Sequence, residues 1–153
     1  MHQYSYSLFL QITHPIRDLT EPYKILSQIP GFTPGRIWKV NEPRLTPTGN
    51  PLGGSQKESY CYFHIFSYPD VKYSKDETLP KALESIIERL YPKIDLLKNL
   101  TESGGKVRFH IGWHHDLNVG EVFDPELLRK LAELSIGLIF DIYYYSNKSD
   151  NTG

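Results

Sequence analysis

Along this chain, stretches in which apolar and polar residues alternate with a period of two are separated by stretches with a period near 3.6. From Tyr4 to Thr13, Tyr6, Leu8, Leu10 and Ile12 alternate with Ser5, Ser7, Phe9 and Gln11, the signature of a half-buried strand. His14-Pro15 ends it, because proline cannot continue the ladder. Thr20-Glu21-Pro22 starts a helix with a hydroxyl cap, an early acid and a proline where no amide donor is needed. Ile25, Leu26 and Ile29 form its stripe, and Pro30-Gly31 stops it.

Gly35 to Val40 reads as a short strand carrying Ile37 or Trp38 inward, followed by a long connection from Asn41 to Gln56 dense in proline and glycine. Ser59 to Tyr68 is the next strand, with Cys61, Phe63 and Ile65 on one side and Tyr60, Tyr62, His64, Phe66 and Tyr68 on the other. A helix then opens at Asp76-Glu77-Thr78-Leu79-Pro80, and Leu79, Leu83, Ile86, Ile87 and Leu90 keep to one of its faces. Pro92 interrupts it before a second helical piece bearing Ile94, Leu97 and Leu100.

After Gly104-Gly105, the stretch Lys106 to Asp116 sends Val107, Phe109, Ile111 and Trp113 to a core. Lys106, Arg108, His110 and His114 go to the opposite face. Asp124-Pro125-Glu126 starts a last helix with Leu127, Leu128, Leu131 and Leu134. The strand from Ile136 to Tyr145 directs Leu138, Phe140 and Ile142 inward and Ile139, Asp141, Tyr143 and Tyr145 outward.

The element order is β-α-β-β-α-β-α-β. It predicts a single α+β domain over residues 1–146 with a polar tail at 147–153. The architecture expected is a two-layer sandwich: a mainly antiparallel five-stranded sheet with helices on one face, a ferredoxin-like variant.

Composition narrows the chemistry. The chain has 153 residues, 39% hydrophobic and 23% charged, which suits a folded globular domain. A net charge of -1 supplies no global attraction to nucleic acid or anionic membrane. With no signal peptide and no apolar run of ~20 residues, the expected location is cytoplasmic, without membrane contact. The single cysteine, Cys61, rules out an internal disulfide and faces the core, where a thiol is inert packing.

The outward side chains of the strands, from Phe9 and Gln11 through Tyr60, Tyr62 and His64 to Arg108 and Asp141, form an aromatic, polar-tipped face. The chain's eleven tyrosines exceed what a core needs. Protein contact is the first reading of this face, and burial beneath the 41–56 connection is the second. A metal site is not expected: His110 and His114, at ~3.3 Å per residue, have backbones ~13 Å apart. No cofactor is expected, and nucleic acid is disfavoured because the cations are too few for a phosphate footprint. Arg108, His110 and Asp141 are placed to meet across strands, yet no nucleophile motif accompanies them, so no catalytic residue is assigned.

Three blocks carry a likeness to a known family. They are Ile25-Leu26-Ser27-Gln28-Ile29-Pro30-Gly31-Phe32-Thr33-Pro34-Gly35-Arg36-Ile37-Trp38-Lys39; Asn41-Glu42-Pro43-Arg44 with Pro51-Leu52-Gly53-Gly54 and Glu58-Ser59-Tyr60; and Asp124-Pro125-Glu126-Leu127-Leu128 through Phe140-Asp141-Ile142-Tyr143. In order and spacing the chain resembles the bacterial DUF4279 domain over nearly its whole length. It departs from that pattern at Asn41, where members usually carry glycine, and at Tyr62, near a position often held by tryptophan.

The resemblance implies a small α+β protein of unassigned function, similar to immunity partners of secreted polymorphic or contact-dependent toxins. The expected function is therefore a non-enzymatic immunity protein that blocks a cognate toxin by protein–protein contact. Its expected interface comprises Trp38, Tyr62, His64, Arg108, His110, Asp141 and Tyr143. The acids Asp116, Glu121, Asp124, Glu126 and Glu133 would suit attraction to a basic nuclease toxin. The alternatives are a small-ligand-binding or enzymatic domain using the same face as a pocket, and a homodimer whose sheets pair.

Overall fold

A computed structural model describes residues 3–66 and 71–145. The polar tail and the expected end of the third strand at Tyr68 lie outside the described residues. The fold is mixed α+β, with a mainly antiparallel sheet. Its strands are β1 (Ser5–His14), β2 (Phe32–Trp38), β5 (Ser59–Ile65), β6 (Lys72–Tyr73), β7 (Lys106–His115) and β8 (Ile136–Tyr144). They lie in the order β2-β5-β1-β7-β8, with β6 pairing the start of β1.

The helices are α1 (Thr20–Leu26), α2 (Leu79–Leu90), α3 (Ile94–Glu102) and α4 (Pro125–Glu133). A 3-10 turn at Tyr91–Lys93 carries Pro92 between α2 and α3, at the interruption the proline predicts. Helix residues Leu26, Leu83, Ile87, Leu97, Leu127 and Leu131 are buried together with Leu8, Leu10, Phe63, Phe109 and Ile111 from the sheet. The alternation in β1 is strict, with every even-numbered residue from Tyr6 to His14 buried.

Four local expectations are corrected by tertiary context. First, the strand after α1 begins at Phe32, which is buried, and neither Ile37 nor Trp38 enters the core. A register shift between Pro34 and Ile37 turns the strand, so Ile37 is exposed and Trp38 lies half-buried against Tyr60.

Second, the 41–56 connection is a hairpin rather than an open loop: β3 (Pro43–Leu45) pairs with β4 (Pro51–Ser55) in a separate two-stranded sheet. Its turn is Thr46-Pro47-Thr48-Gly49, closed by the Gly49 amide donating to the Thr46 carbonyl. Third, the main sheet holds six strands where five were expected, and β8 runs parallel to β7. Fourth, burial fades along β8: Ile136 is buried, Leu138 half-buried, and Phe140 and Ile142 are exposed, Phe140 still touching Trp113 and Phe123.

Candidate functional site

The helix-free face of the sheet is assembled by register. His64, Phe9 and His110 are level on β5, β1 and β7, and Tyr62, Gln11 and Arg108 form the next row. Phe9 packs edge-on against His64 at 4.9 Å and against Tyr62 at 6.0 Å between ring centres. Tyr62 in turn meets His64 edge-on at 5.3 Å. Such edge-to-face contacts set the positive rim of one ring against the negative face of another and hold the cluster in one geometry.

Gly35 makes room for it. A Cβ there would lie 2.2 Å from the Tyr62 ring, so Tyr62 rests directly on the backbone of β2. Trp38 stacks on Tyr60 at 4.3 Å, and the Arg36 guanidinium lies 5.3 Å from the tryptophan ring.

Between these rings is a shallow depression of about 230 Å³ lined by Phe9, Gln11, Tyr60, Tyr62, His64 and His110. None of its walls comes from the β3–β4 hairpin, so the hairpin does not fold back over this part of the face. Burial lowers the pKa of His64 and raises that of Tyr60. The depression thus presents a neutral imidazole and an unionised phenol near neutral pH.

Of the three residues placed to meet across strands, two do. His110 Nε2 and Asp141 Oδ2 are 2.5 Å apart, an ion pair when the imidazole is protonated. Both side chains are partly exposed, so the pair contributes little to stability. Arg108 does not join them; its aliphatic stem covers Gly137, with Cγ 3.5 Å from where a Cβ would stand. Tyr143 is remote from the depression and stacks on His114 at 4.8 Å.

The expected interface residues therefore share one face but form three groups. Trp38 lies at the β2 end, Tyr62, His64 and His110 at the centre with Arg108 and Asp141 beside them, and Tyr143 toward the β8 end. Phe9 and Tyr60 are as central as Tyr62, and their strand positions alone signal this.

Cys61 faces the core, and burial pushes its thiol up to about 12, so it offers no thiolate near neutral pH. The acids of the 116–133 segment are largely engaged within the fold. Tyr4 donates to Glu121, Asp124 accepts from the Leu127 amide, and Arg129 pairs with both Glu126 and Glu133. Arg129 offsets one of these charges, and hydrogen bonds leave Glu121 and Asp124 ionised, so the segment stays net acidic. No helix among the described residues is long and apolar enough to cross a membrane.

These features define a class: an α+β protein with one helix-covered sheet face and one open, aromatic face. The chain belongs to the DUF4279 family, described as a domain of unknown function, which matches residues 22–145. Comparison with curated proteins and with solved structures returned no match.

Proposed function

We propose that this protein is a non-enzymatic immunity protein that binds and neutralises a cognate bacterial toxin through the open face of its sheet. The observation that carries the reading is the uncovered ring cluster of Phe9, Tyr60, Tyr62 and His64, with Arg108 beside it. Tyrosine, tryptophan and arginine are the residues on which tight protein interfaces concentrate their binding energy. The cluster is also held before binding, by Gly35 beneath Tyr62 and by ring packing, so little side-chain entropy is lost when a partner docks.

A small-ligand or enzymatic reading uses the same depression and is less well supported. Its volume of about 230 Å³ lies below the ~300–1,000 Å³ usual for ligand sites, and it is open. The His110–Asp141 pair has the form of an oriented base, yet among the described residues no activated nucleophile stands beside it. We read the fold as a ferredoxin-like variant, in which β7-β1-β5-β2 is the core, β8 an added edge strand and β3–β4 an inserted hairpin.

The test is co-expression of the chain with the toxin domain encoded beside it, followed by affinity measurement on the purified pair. Rescued growth and a stable complex are expected. Tyr62→Ala and Arg108→Ala should each weaken the complex by at least tenfold, about 1.4 kcal/mol. Undiminished toxicity would exclude the immunity reading, and unchanged affinity in both variants would move the interface off this face.

A further inference from the structure

The two edges of the main sheet are protected very differently. The β2 edge carries Pro34, Arg36 and a register shift, devices that keep another strand from adding. The β8 edge has nine residues, neither proline nor lysine, no register shift, and Asp141 as its single charge. Toward its end, Ile142 is 66% exposed, Tyr144 64% and Phe140 37%. A long, regular, apolar edge is a template for strand addition.

From this edge we infer that the protein forms a homodimer by antiparallel pairing of β8 with β8 of a second copy, independently of any toxin contact. The backbone specifies the register. The Tyr145 amide donates to the His115 carbonyl at 3.0 Å, so odd-numbered residues of β8 turn their backbone groups toward β7. The even-numbered residues from Ile136 to Tyr144 turn theirs to the free edge.

Antiparallel pairing joins outward-turned residues to outward-turned residues, which two-fold symmetry about Phe140 achieves over the whole strand. Phe140 then faces its own copy, Leu138 faces Ile142, and Ile136 faces Tyr144. On the open face, Tyr143 lies opposite Gly137, whose open side is covered by the Arg108 stem, and Asp141 lies opposite Ile139. Shifting the symmetry axis to Asp141 would set two carboxylates directly opposite each other, which is destabilising.

The occupant is a second copy because the strand is complementary to itself in this register, and because the available area approaches what a specific interface needs. At roughly 200 Å² per large side chain, the exposed parts of Phe140, Ile142, Tyr143 and Tyr144 offer on the order of 400 Å² per protomer. With the backbone edge added, two copies at full coverage approach the ~1,000 Å² that separates specific interfaces from packing contacts. The pairing makes one continuous sheet in which both aromatic faces lie on the same side.

Sedimentation equilibrium on the full chain should give a dimer at micromolar concentration. Ile142→Lys should be monomeric with an unchanged circular dichroism spectrum, since Ile142 is mostly exposed. Phe140→Cys should cross-link to itself on mild oxidation, because hydrogen-bonded antiparallel partners have Cα atoms ~5.5 Å apart, within disulfide range. Cys61 is buried and does not compete.

A monomeric wild-type chain would overturn the inference. So would a dimer that persists in Ile142→Lys, or one that forms no link at position 140. A monomer whose even-numbered β8 amides resist hydrogen exchange would also overturn it, by showing that the edge is covered from within the chain.

Discussion

His14 shows how much of this structure rests on single polar groups. It is 1% exposed, and its Nδ1 accepts hydrogen bonds from the amides of Ile16 and Arg17. Ser103 Oγ donates to the Asn99 carbonyl, so it must accept from His14 Nε2, 3.0 Å away. The ring is therefore neutral and carries its proton on Nε2, an assignment that follows from its partners. Protonating Nδ1 would place a donor against two donors.

Burial lowers the pKa of His14, helped by the charge of Arg17, and burial lowers that of His64. The folded state thus binds fewer protons than the unfolded state, and stability rises with pH. The contribution is complete above the ordinary histidine value of ~6.5 and is lost as pH falls below it toward the depressed folded values. Denaturant midpoints should accordingly fall between pH 7.5 and pH 5.5, by less in His14→Asn, whose side-chain oxygen keeps an acceptor without titrating. Equal pH dependence in the two proteins would contradict this account. In the sequence, His14 was legible as a strand terminus; Ser103, 89 residues away, was not.

At the scale of elements, the helix starts divide into local and tertiary solutions. Asp124 caps α4 by accepting the Leu127 amide at 2.9 Å, and Pro125 follows where no donor is needed. Asp124→Ala should cost about 1 kcal/mol, seen as a lowered denaturant midpoint with an unchanged slope. An unaltered midpoint would mean that water replaces the cap at no cost.

The Thr20 hydroxyl, expected to cap α1, instead donates to Asp18, whose carboxylate also accepts the Thr20 amide and is held below its usual pKa by these bonds. The cap residue of α1 is Leu19, and the helix ends at Leu26, before the apolar stripe runs out at Ile29. At α2, the Leu79 amide donates to the Tyr4 hydroxyl, supplied by the residue just before β1. The first of these starts is visible in a short motif. The other two depend on a neighbouring acid and on a residue 75 positions away.

For the whole molecule, stability rests on the layer between sheet and helices. Phe109 on β7 is 0% exposed and stands level with Leu10 on β1 and Leu138 on β8. Phe109→Ala should cost about 3–5 kcal/mol, a large share of the ~5–15 kcal/mol available to a domain, and should be seen as a much lower melting temperature. A small shift would mean that the core relaxes into the space.

The alternation along β1, β5 and β7 and the helical stripe of α2 were determined by sequence alone, because backbone geometry imposes periods of 2 and 3.6 on any residue that must be buried. That is why the inward and outward residues of the central strands, and the aromatic character of the open face, were readable from residue order. The hairpin carries no burial pattern because β3 and β4 are exposed along their whole length; its local signal is the Thr46–Gly49 turn.

Tertiary structure alone decided the strand order, the parallel placement of β8, the pairing of Asp141 with His110 rather than Arg108 and the length of edge left uncovered. Each depends on which segments pair across long stretches of chain. Those are outcomes of competition among many compatible pairings, and no local pattern encodes them.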